Sequence, residues 1–236
     1  MSVGTTRIQE ITENLATVHQ RIRAATEKVG RDPTEITLIV VTKNFPSSDL
    51  EILYELGVRD FGENRDEEAI LKVETLPGDI TWHFLGQVQS RKIRSICGWA
   101  DVVHSLDSLD HARKFVAANA IKKMEFFVQA NLEPDRADRG GIALRELPEF
   151  FEKLINEIGV LPIGLMTVAP QDWDPSVAFN QVKEVRDQLI QAFPSLPNFA
   201  LGLSLGMSND FEAAITAGAT HLRIGSSILG SRLLGV

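Results

Sequence analysis

The sequence is poor in the features that would assign it to a membrane, a secreted framework or a nucleic acid. It contains a single cysteine, Cys97, so no disulfide can form within the chain, as is usual in a reducing compartment. No run approaches the roughly 20 apolar residues that span a bilayer, and the N-terminal segment has no apolar core of the signal-peptide type. Acidic residues outnumber basic ones by 32 to 24, which disfavours a nucleic-acid partner. We therefore expect a cytoplasmic protein that binds neither membranes nor nucleic acid.

Histidines in metal-ligand spacing are also lacking. None forms a spaced ligand pair with the cysteine, so we expect no metal site. His83 is the best functional candidate among them, and the alternative is a core histidine whose hydrogen bonds are satisfied. The histidines are His19, His83, His104, His111 and His221.

Apolar segments of strand length alternate with helical patterns along the chain. A helix predicted from Thr6 to Gly30 precedes the first strand. Strict alternation of strands and helices is typical of a parallel sheet. The predicted strands lie near residues 36–42, 58–61, 80–85, 101–104, 124–131, 161–166, 199–204 and 220–224.

Eight such units in about 200 residues predict an α/β fold, a closed (β/α)8 barrel of the TIM type with an additional N-terminal helix. No linker interrupts the series, so we expect residues 1–236 to form a single domain. The alternative is an open doubly wound sheet. It is less favoured because Lys43-Asn44-Phe45-Pro46 stands where a glycine-rich dinucleotide turn would follow the first strand.

Lys43 follows the β-branched run 36–42, at the carboxyl end of the first predicted strand. The carboxyl ends of parallel strands are where α/β proteins carry their chemistry. A partly desolvated lysine loses its proton more easily, and the neutral amine can form a Schiff base with an aldehyde. The alternative is that the strand simply ends and Lys43 points into water.

The loops after the last two predicted strands carry small residues and hydroxyls. Gly206, Ser208, Gly225 and Ser226 could supply N–H and O–H donors to a phosphate without Cβ atoms in the way. The alternatives are a plain helix N-cap for Ser208 and an ordinary turn for Gly225-Ser226.

Arg223 precedes Gly225 by two residues, so the two should face the same side of the last strand. A buried arginine needs a partner, which could be a phosphate, an aromatic ring nitrogen or a neighbouring carboxylate. Together, a lysine amine, a phosphate cradle and a buried arginine suit pyridoxal 5′-phosphate (PLP). Lys43 would bond its aldehyde, the two loops its phosphate, and Arg223 would face the pyridine nitrogen.

Six segments spread over the chain resemble, in the same order, the PLP homeostasis proteins of the YggS or PROSC type. The segments are VTKNFP, FGENR, WHFLGQVQSRK, GLMTVAP, LSLGMSNDFEAAI and THLRIGSSILG. That family is similar in fold to the amino-terminal barrel of alanine racemase, and its members bind PLP through a lysine imine.

The resemblance implies roles for individual residues. The imine lysine corresponds to Lys43 and the arginine at the ring nitrogen to Arg223. The phosphate-binding residues fall on Ser208, Gly225 and Ser226. Asn64, His83 and Met166 match positions that line the cofactor or lie near it.

Two segments depart from the family pattern. Arg65 stands where the family commonly has tyrosine after GEN, and the loop 133–141 differs from the acidic, lysine-containing loop of many members. These departures concern the rim of the pocket and the choice of partner rather than the cofactor.

The resemblance favours a protein of intracellular vitamin B6 homeostasis and amino-acid balance without established catalysis. The alternatives are a PLP-dependent racemase or related amino-acid enzyme, and an aldolase that uses a Schiff base without cofactor. Racemisation needs acid–base groups on both faces of the substrate carbon. Alanine racemases take one from a tyrosine of a carboxy-terminal β-domain, which we do not expect here, and the only tyrosine, Tyr54, is predicted to pack. PLP-dependent apo-enzymes are the candidate partners of a protein expected to be a monomer or a weak dimer.

Overall fold

The computed structural model describes residues 3–118, 123–136, 138–194 and 201–230. The strands are β1 (Thr37–Val41), β2 (Asp60–Glu63), β3 (Thr81–Phe84), β4 (Val102–Leu106), β5 (Glu125–Asn131), β6 (Ile142–Ala143), β7 (Gly164–Met166), β8 (Gly202–Ser204) and β9 (His221–Ile224). The first two positions of the strand predicted at 199–204 lie outside the described residues.

Eight of these strands form a closed parallel ring. Its order is β1-β2-β3-β4-β5-β7-β8-β9, and β9 pairs back with β1 through Ile39 and Arg223. The predicted (β/α)8 barrel with an N-terminal helix is therefore confirmed. The two-residue strand β6 was not predicted, because so short a segment carries no periodicity; it pairs with the end of β5 outside the ring.

Helices surround the barrel in the described ranges. They are α1 (Val3–Lys28), α2 (Ser47–Glu55), α3 (Asp66–Thr75), α4 (Ile93–Ile96), α5 (Leu109–Ala118), α6 (Leu147–Lys153, continued by a π-helical turn over Leu154–Ile158), α7 (Pro175–Ala192), α8 (Phe211–Thr216) and α9 (Ser226–Leu229). None of these helices combines the length and the apolar character that a bilayer-crossing segment needs.

The strands are buried on both faces, as their composition predicts. Ile39 and Val40 are neighbours on β1 and both are fully buried, one facing the barrel interior and the other the helical layer. Branched aliphatic residues suit a pleated strand that packs on two sides.

Helix α1 packs against α8, α9 and α2 through one apolar stripe, in which Ile11 and Val18 are almost completely buried. Arg7 anchors its first turns, because its Nη2 lies 2.6 Å from Asp49 Oδ2 on α2 and 3.0 Å from the Leu229 carbonyl oxygen on α9. The helix begins at Val3 and ends at Lys28, so both ends lie slightly earlier in the chain than the predicted Thr6 and Gly30. Helix α1 thereby holds the last β/α unit against the first, at the seam where the ring closes.

Candidate functional site

The carboxyl ends of β1, β2, β7, β8 and β9 surround a cavity of about 570 Å³. That volume lies in the range typical of sites for small molecules and cofactors. Seven of the eight predicted site residues line it: Lys43, Asn64, Met166, Ser208, Arg223, Gly225 and Ser226.

Lys43 lies in a short loop that is held on both sides. The Thr42 carbonyl oxygen accepts a hydrogen bond from Lys72 Nζ at 2.9 Å. The Asn44 N–H donates to Glu68 Oε1 at 2.5 Å, and Asn44 adopts a left-handed conformation with φ of 65°. Asparagine tolerates that conformation better than most residues. The backbone around Lys43 is thus fixed by side chains from α3, and Lys43 forms part of the cavity wall instead of extending freely into water.

Glu63 and Lys72 form a buried ion pair beneath this loop. Lys72 Nζ lies 2.6 Å from Glu63 Oε1, and the same oxygen accepts from Thr42 Oγ1 at 2.6 Å. Burial raises the pKa of Glu63, and the charge of Lys72 opposes that shift. Among the described residues, Glu63 Oε2 has no hydrogen-bond partner. Sequence reasoning missed this pair, since the glutamate was visible in FGENR but its partner is a lysine of the next helix.

The two loops predicted to bind phosphate are joined by Ser208. Its Oγ accepts hydrogen bonds from Ser226 Oγ at 3.0 Å and from the Ser227 N–H at 3.2 Å. The alternative in which Ser208 caps the following helix is wrong, because α8 begins at Phe211 with Asp210 at the N-cap. The hydroxyl of Ser208 is directed to the last loop, which brings two hydroxyls together at the cavity wall.

Two glycines allow these loops to approach their neighbours. Gly206 has φ of 81°, and a Cβ there would lie 2.7 Å from that of Ala214. A Cβ at Gly225 would lie 2.9 Å from the Val41 carbonyl oxygen on β1. Glycine at both positions is therefore a requirement of close packing around the cavity.

Arg223 forms the cavity floor and is 6% exposed. Its Nη1 donates to the Ser204 carbonyl oxygen and to Ser204 Oγ at 2.7 Å, and its Nη2 donates to the Thr167 carbonyl oxygen at 2.8 Å. Among the described residues, Arg223 forms no ion pair with a carboxylate. The alternative in which a neighbouring carboxylate is its partner is therefore wrong for this part of the chain. Burial lowers the pKa of Arg223 to about 10, against the opposing charge of Asp210.

His83 lies deeper in the barrel and does not line the cavity. It is 2% exposed, and its ring nitrogens contact His104 Nε2 at 2.9 Å and Asp60 Oδ1 at 3.0 Å. Side chains alternate along a strand, so Leu85, two residues further on, is the next inward residue and takes the place at the cavity. Of the two roles considered for His83, the structure therefore supports the core histidine whose hydrogen bonds are satisfied.

Further lining residues were missed by the sequence reasoning. Asp210 lines the wall, but its Oδ1 accepts the Met207 N–H at 2.5 Å and so is engaged by its own loop. The segment after β7 contributes Trp173, and the loop after β1 contributes Phe45. Phe45 closely follows the end of β1, and that position is the signal that could have identified it. Asp210 and Trp173 lie further past the ends of β8 and β7, where that signal no longer applies.

The two departures from the family pattern are not among the residues that line this cavity. Arg65 is exposed at the start of α3 and is not part of the cavity wall. The loop 133–141 borders a second, smaller cavity of about 220 Å³, and Arg139 there pairs with Glu133 at 3.2 Å. Ala137 of this loop lies outside the described residues.

Comparison with known proteins relates the chain to one family. Residues 10–232 match the family model described as "Alanine racemase, N-terminal domain". The chain is 36% identical over 253 residues to the pyridoxal phosphate homeostasis protein of Mycobacterium tuberculosis H37Rv, covering 97% of this chain and 95% of that protein. It is 34% identical to the pyridoxal phosphate homeostasis protein of Escherichia coli K12, covering 95% of this chain and 98% of that protein. PipY of Synechococcus elongatus, whose structure has PLP bound, superposes with a TM-score of 0.79 at 32% identity, over 93% of this chain and all of that one.

Proposed function

The chain belongs to the family of the alanine racemase N-terminal domain, and on that premise we propose that it binds PLP as a Schiff base of Lys43. Residues 1–236 would act as one PLP-binding barrel domain in intracellular vitamin B6 homeostasis and amino-acid balance. Relatives covering nearly the full length are named pyridoxal phosphate homeostasis proteins, which supports this role.

One observation carries the proposal: a lysine amine, two neighbouring serine hydroxyls and a buried arginine line the same cavity. Each matches one part of PLP. A buried cation that forms no ion pair with a carboxylate of the described residues is costly unless a ligand completes its surroundings. This donor set therefore fits the cofactor on the protein's own geometry.

The residues would divide the cofactor between them. Lys43 Nζ attacks the aldehyde carbon; a C=N bond forms and the aldehyde oxygen leaves as water. Ser208, Gly225 and Ser226 would hold the phosphate, and Arg223 would face the ring nitrogen. Since arginine only donates hydrogen bonds, it favours an unprotonated pyridine nitrogen. When bound, PLP supplies a reactive carbon and an electron-withdrawing ring.

A homeostatic rather than catalytic role is favoured by the groups that line the cavity. In the described part of the chain, its titratable lining residues are Lys43, Asp210 and Arg223. Asp210 is bonded to the Met207 N–H, and Arg223 is a poor base. The single tyrosine, Tyr54, stacks under Arg59 and bonds Asp79, away from the cavity. A racemase would need a second acid–base group opposite Lys43.

Lys43→Ala tests the covalent assignment. The variant should stay folded but lose the near-ultraviolet to visible absorbance of the imine, since no amine is left at that position. Borohydride reduction followed by peptide mass spectrometry should locate the adduct on Lys43 in the unmodified sequence. Lys153→Ala is the matched control, because that lysine is partly exposed on α6, outside the cavity wall, and pairs with Glu149. A reducible adduct that persists in Lys43→Ala would contradict the assignment.

Two further measurements separate homeostasis from catalysis. Mixing the PLP-loaded protein with a PLP-dependent apo-enzyme should restore that enzyme's activity, because a carrier hands over its PLP. We expect this carrier to be a monomer or a weak dimer. Chiral chromatography of several amino acids should show no racemisation above that of free PLP. Turnover well above free PLP would favour the racemase alternative.

A further inference from the structure

A continuous chain of hydrogen bonds runs through the barrel interior to Arg223. We call this chain, from Asp60 through His83, His104 and Ser204 to Arg223, the file. Asp60 Oδ1 lies 3.0 Å from His83 Nε2, and His83 Nδ1 lies 2.9 Å from His104 Nε2. His104 Nδ1 lies 2.9 Å from Ser204 Oγ, which accepts from Arg223 Nη1 at 2.7 Å. Four strands, β2, β3, β4 and β8, thus connect an acidic side chain to the arginine of β9.

The interior members of this file are sealed from water. His104 and Ser204 are fully buried, and His83 is 2% exposed. Asp60 is the exception: it opens β2, and its side chain is 31% exposed. The file therefore reaches solvent at Asp60, at the start of β2, and ends at the floor of the cavity at Arg223.

With both imidazole rings neutral, the direction of every hydrogen bond in the file follows from its two ends. The carboxylate of Asp60 accepts, so His83 Nε2 carries the proton and His83 Nδ1 of the neutral ring accepts from His104 Nε2–H. His104 Nδ1 must then accept the Ser204 hydroxyl proton, which leaves the Ser204 oxygen to accept from Arg223. In every hydrogen bond of the file the donor is thus the group nearer Arg223 and the acceptor is the group nearer Asp60. Both imidazoles have the Nε2–H tautomer.

The surroundings of His104 support a neutral ring. Burial is the main cause that lowers its pKa well below the usual range, and the charge of the nearby Arg223 adds to the effect. Phe127 stacks on the ring with centroids 4.6 Å apart, so one face has no polar partner. A neutral imidazole donates once and accepts once, which is the pattern that the file requires.

We propose that Asp60, His83, His104 and Ser204 are positioning residues for Arg223. The file fixes the Ser204 hydroxyl, and Ser204 with its own carbonyl holds Nη1, so the guanidinium presents a constant donor edge to the cavity. The significance of that edge for the ring nitrogen of PLP rests on the proposed function. The geometry of the file stands without it.

Histidine tautomers in the PLP-free protein test the file directly. Nitrogen-15 NMR at pH 8, where an unperturbed imidazole is neutral, should show Nε2–H and unprotonated Nδ1 for both His83 and His104. An Nδ1–H tautomer of His104, or a doubly protonated His83, would reverse the direction of the bonds and overturn the inference. This result does not depend on whether PLP binds, so it separates the failure of the file from the failure of the proposed function.

Ser204→Ala tests the effect on the cavity. Loss of the hydroxyl that joins His104 to Arg223 should weaken PLP binding about 2- to 10-fold, the loss expected for about one hydrogen bond, and shift the absorbance band, while Lys43 still forms the reducible adduct. Ser105→Ala is the matched control, a buried serine of β4 that bonds the Gly86 carbonyl oxygen outside the file. Equal affinities and equal spectra in the two variants would refute positioning through Ser204.

Asp60 provides a test far from the ligand. Asp60→Ala removes the final acceptor and should weaken PLP binding and disturb the His104 nitrogen shifts. Asp60→Asn keeps an acceptor oxygen and should restore both toward the unmodified protein. If Asp60→Ala leaves the tautomers and the affinity unchanged, the carboxylate has no positioning role. If both variants lose the same amount, the loss is not due to the missing acceptor, and the inference fails.

Discussion

Replacing Lys72 with methionine should destabilise the protein far more than replacing a lysine at its surface. Lys72 is 4% exposed, and its Nζ lies 2.6 Å from Glu63 Oε1, 2.7 Å from Glu68 Oε1 and 2.9 Å from the Thr42 carbonyl oxygen. Methionine keeps most of the side-chain volume, so the loss is mainly electrostatic. Removing one partner of a buried ion pair costs about 3–5 kcal/mol of unfolding free energy, because the other charge stays buried without compensation.

A second substitution separates charge from packing. Glu63→Gln removes the buried charge at nearly constant shape, so the double variant should recover most of the loss. In a double-mutant cycle the coupling energy should be about 2–3 kcal/mol, as for residues in direct contact.

The loss should also depend on pH. Burial raises the pKa of Glu63 in the folded protein above its unfolded value. A raised pKa means that the folded state holds the proton more tightly, so stability from this group is present at low pH and lost as pH rises through the folded pKa. In Lys72→Met the opposing charge of Lys72 is gone, so its deficit should be larger at pH 8 than at pH 5.

Urea unfolding followed by tryptophan fluorescence at pH 5 and pH 8 measures all of these quantities. Lys92→Met is the control, since Lys92 pairs with Glu67, whose side chain is 74% exposed; such a pair contributes about 1 kcal/mol or less. A Lys72→Met deficit below about 1 kcal/mol would refute the reasoning that a buried charge left without its partner is costly. So would a deficit that is equal at both pH values and is not relieved by Glu63→Gln.

Two further predictions concern the cavity and the barrel interior. Gly225→Ala should cost roughly 1–3 kcal/mol of stability and weaken PLP binding, because the new Cβ would lie 2.9 Å from the Val41 carbonyl oxygen. Gly78→Ala, with nothing within 4 Å of the new Cβ, is the control in urea unfolding and PLP titration, and equal effects would contradict the steric argument. Burial lowers the pKa of His221 from 6.5 to about 4, so its contribution to stability is present above pH 6.5 and lost as pH falls toward 4. The unmodified protein should therefore lose stability as pH falls from 6.5 to 4, and His221→Gln should lose less over the same range, by up to roughly 3 kcal/mol. Parallel pH profiles of unfolding for the two proteins would contradict this.

Sequence reasoning was most effective at strand ends. Lys43, Arg223 and Gly225 could be identified because parallel strands bring their carboxyl ends to one edge and side chains alternate along each strand. Those two rules are local, so they apply without knowledge of which strands are neighbours. The three residues do line one cavity.

The same rules could not show how deep in the barrel each inward side chain lies. His83 and Leu85 both point inward from β3 and its extension, and only the register with β2, in which His83 lies beside Gly62, puts the histidine below the cavity. The bond of Ser208 to the Ser227 N–H was equally hidden, because it joins two loops that are far apart in the chain.

The order of apolar runs and helical stripes by itself determined the barrel, because each β/α unit is recognisable from a short stretch of chain and parallel strands with helical crossovers close in few ways. It also determined the chemical types gathered at the strand ends. Only the tertiary structure decided that Lys72 of α3 meets Glu63 of β2 and that Asp60 connects through two histidines to Arg223. Those pairings join side chains of different strands and helices, and their energies depend on burial that no single segment of sequence possesses.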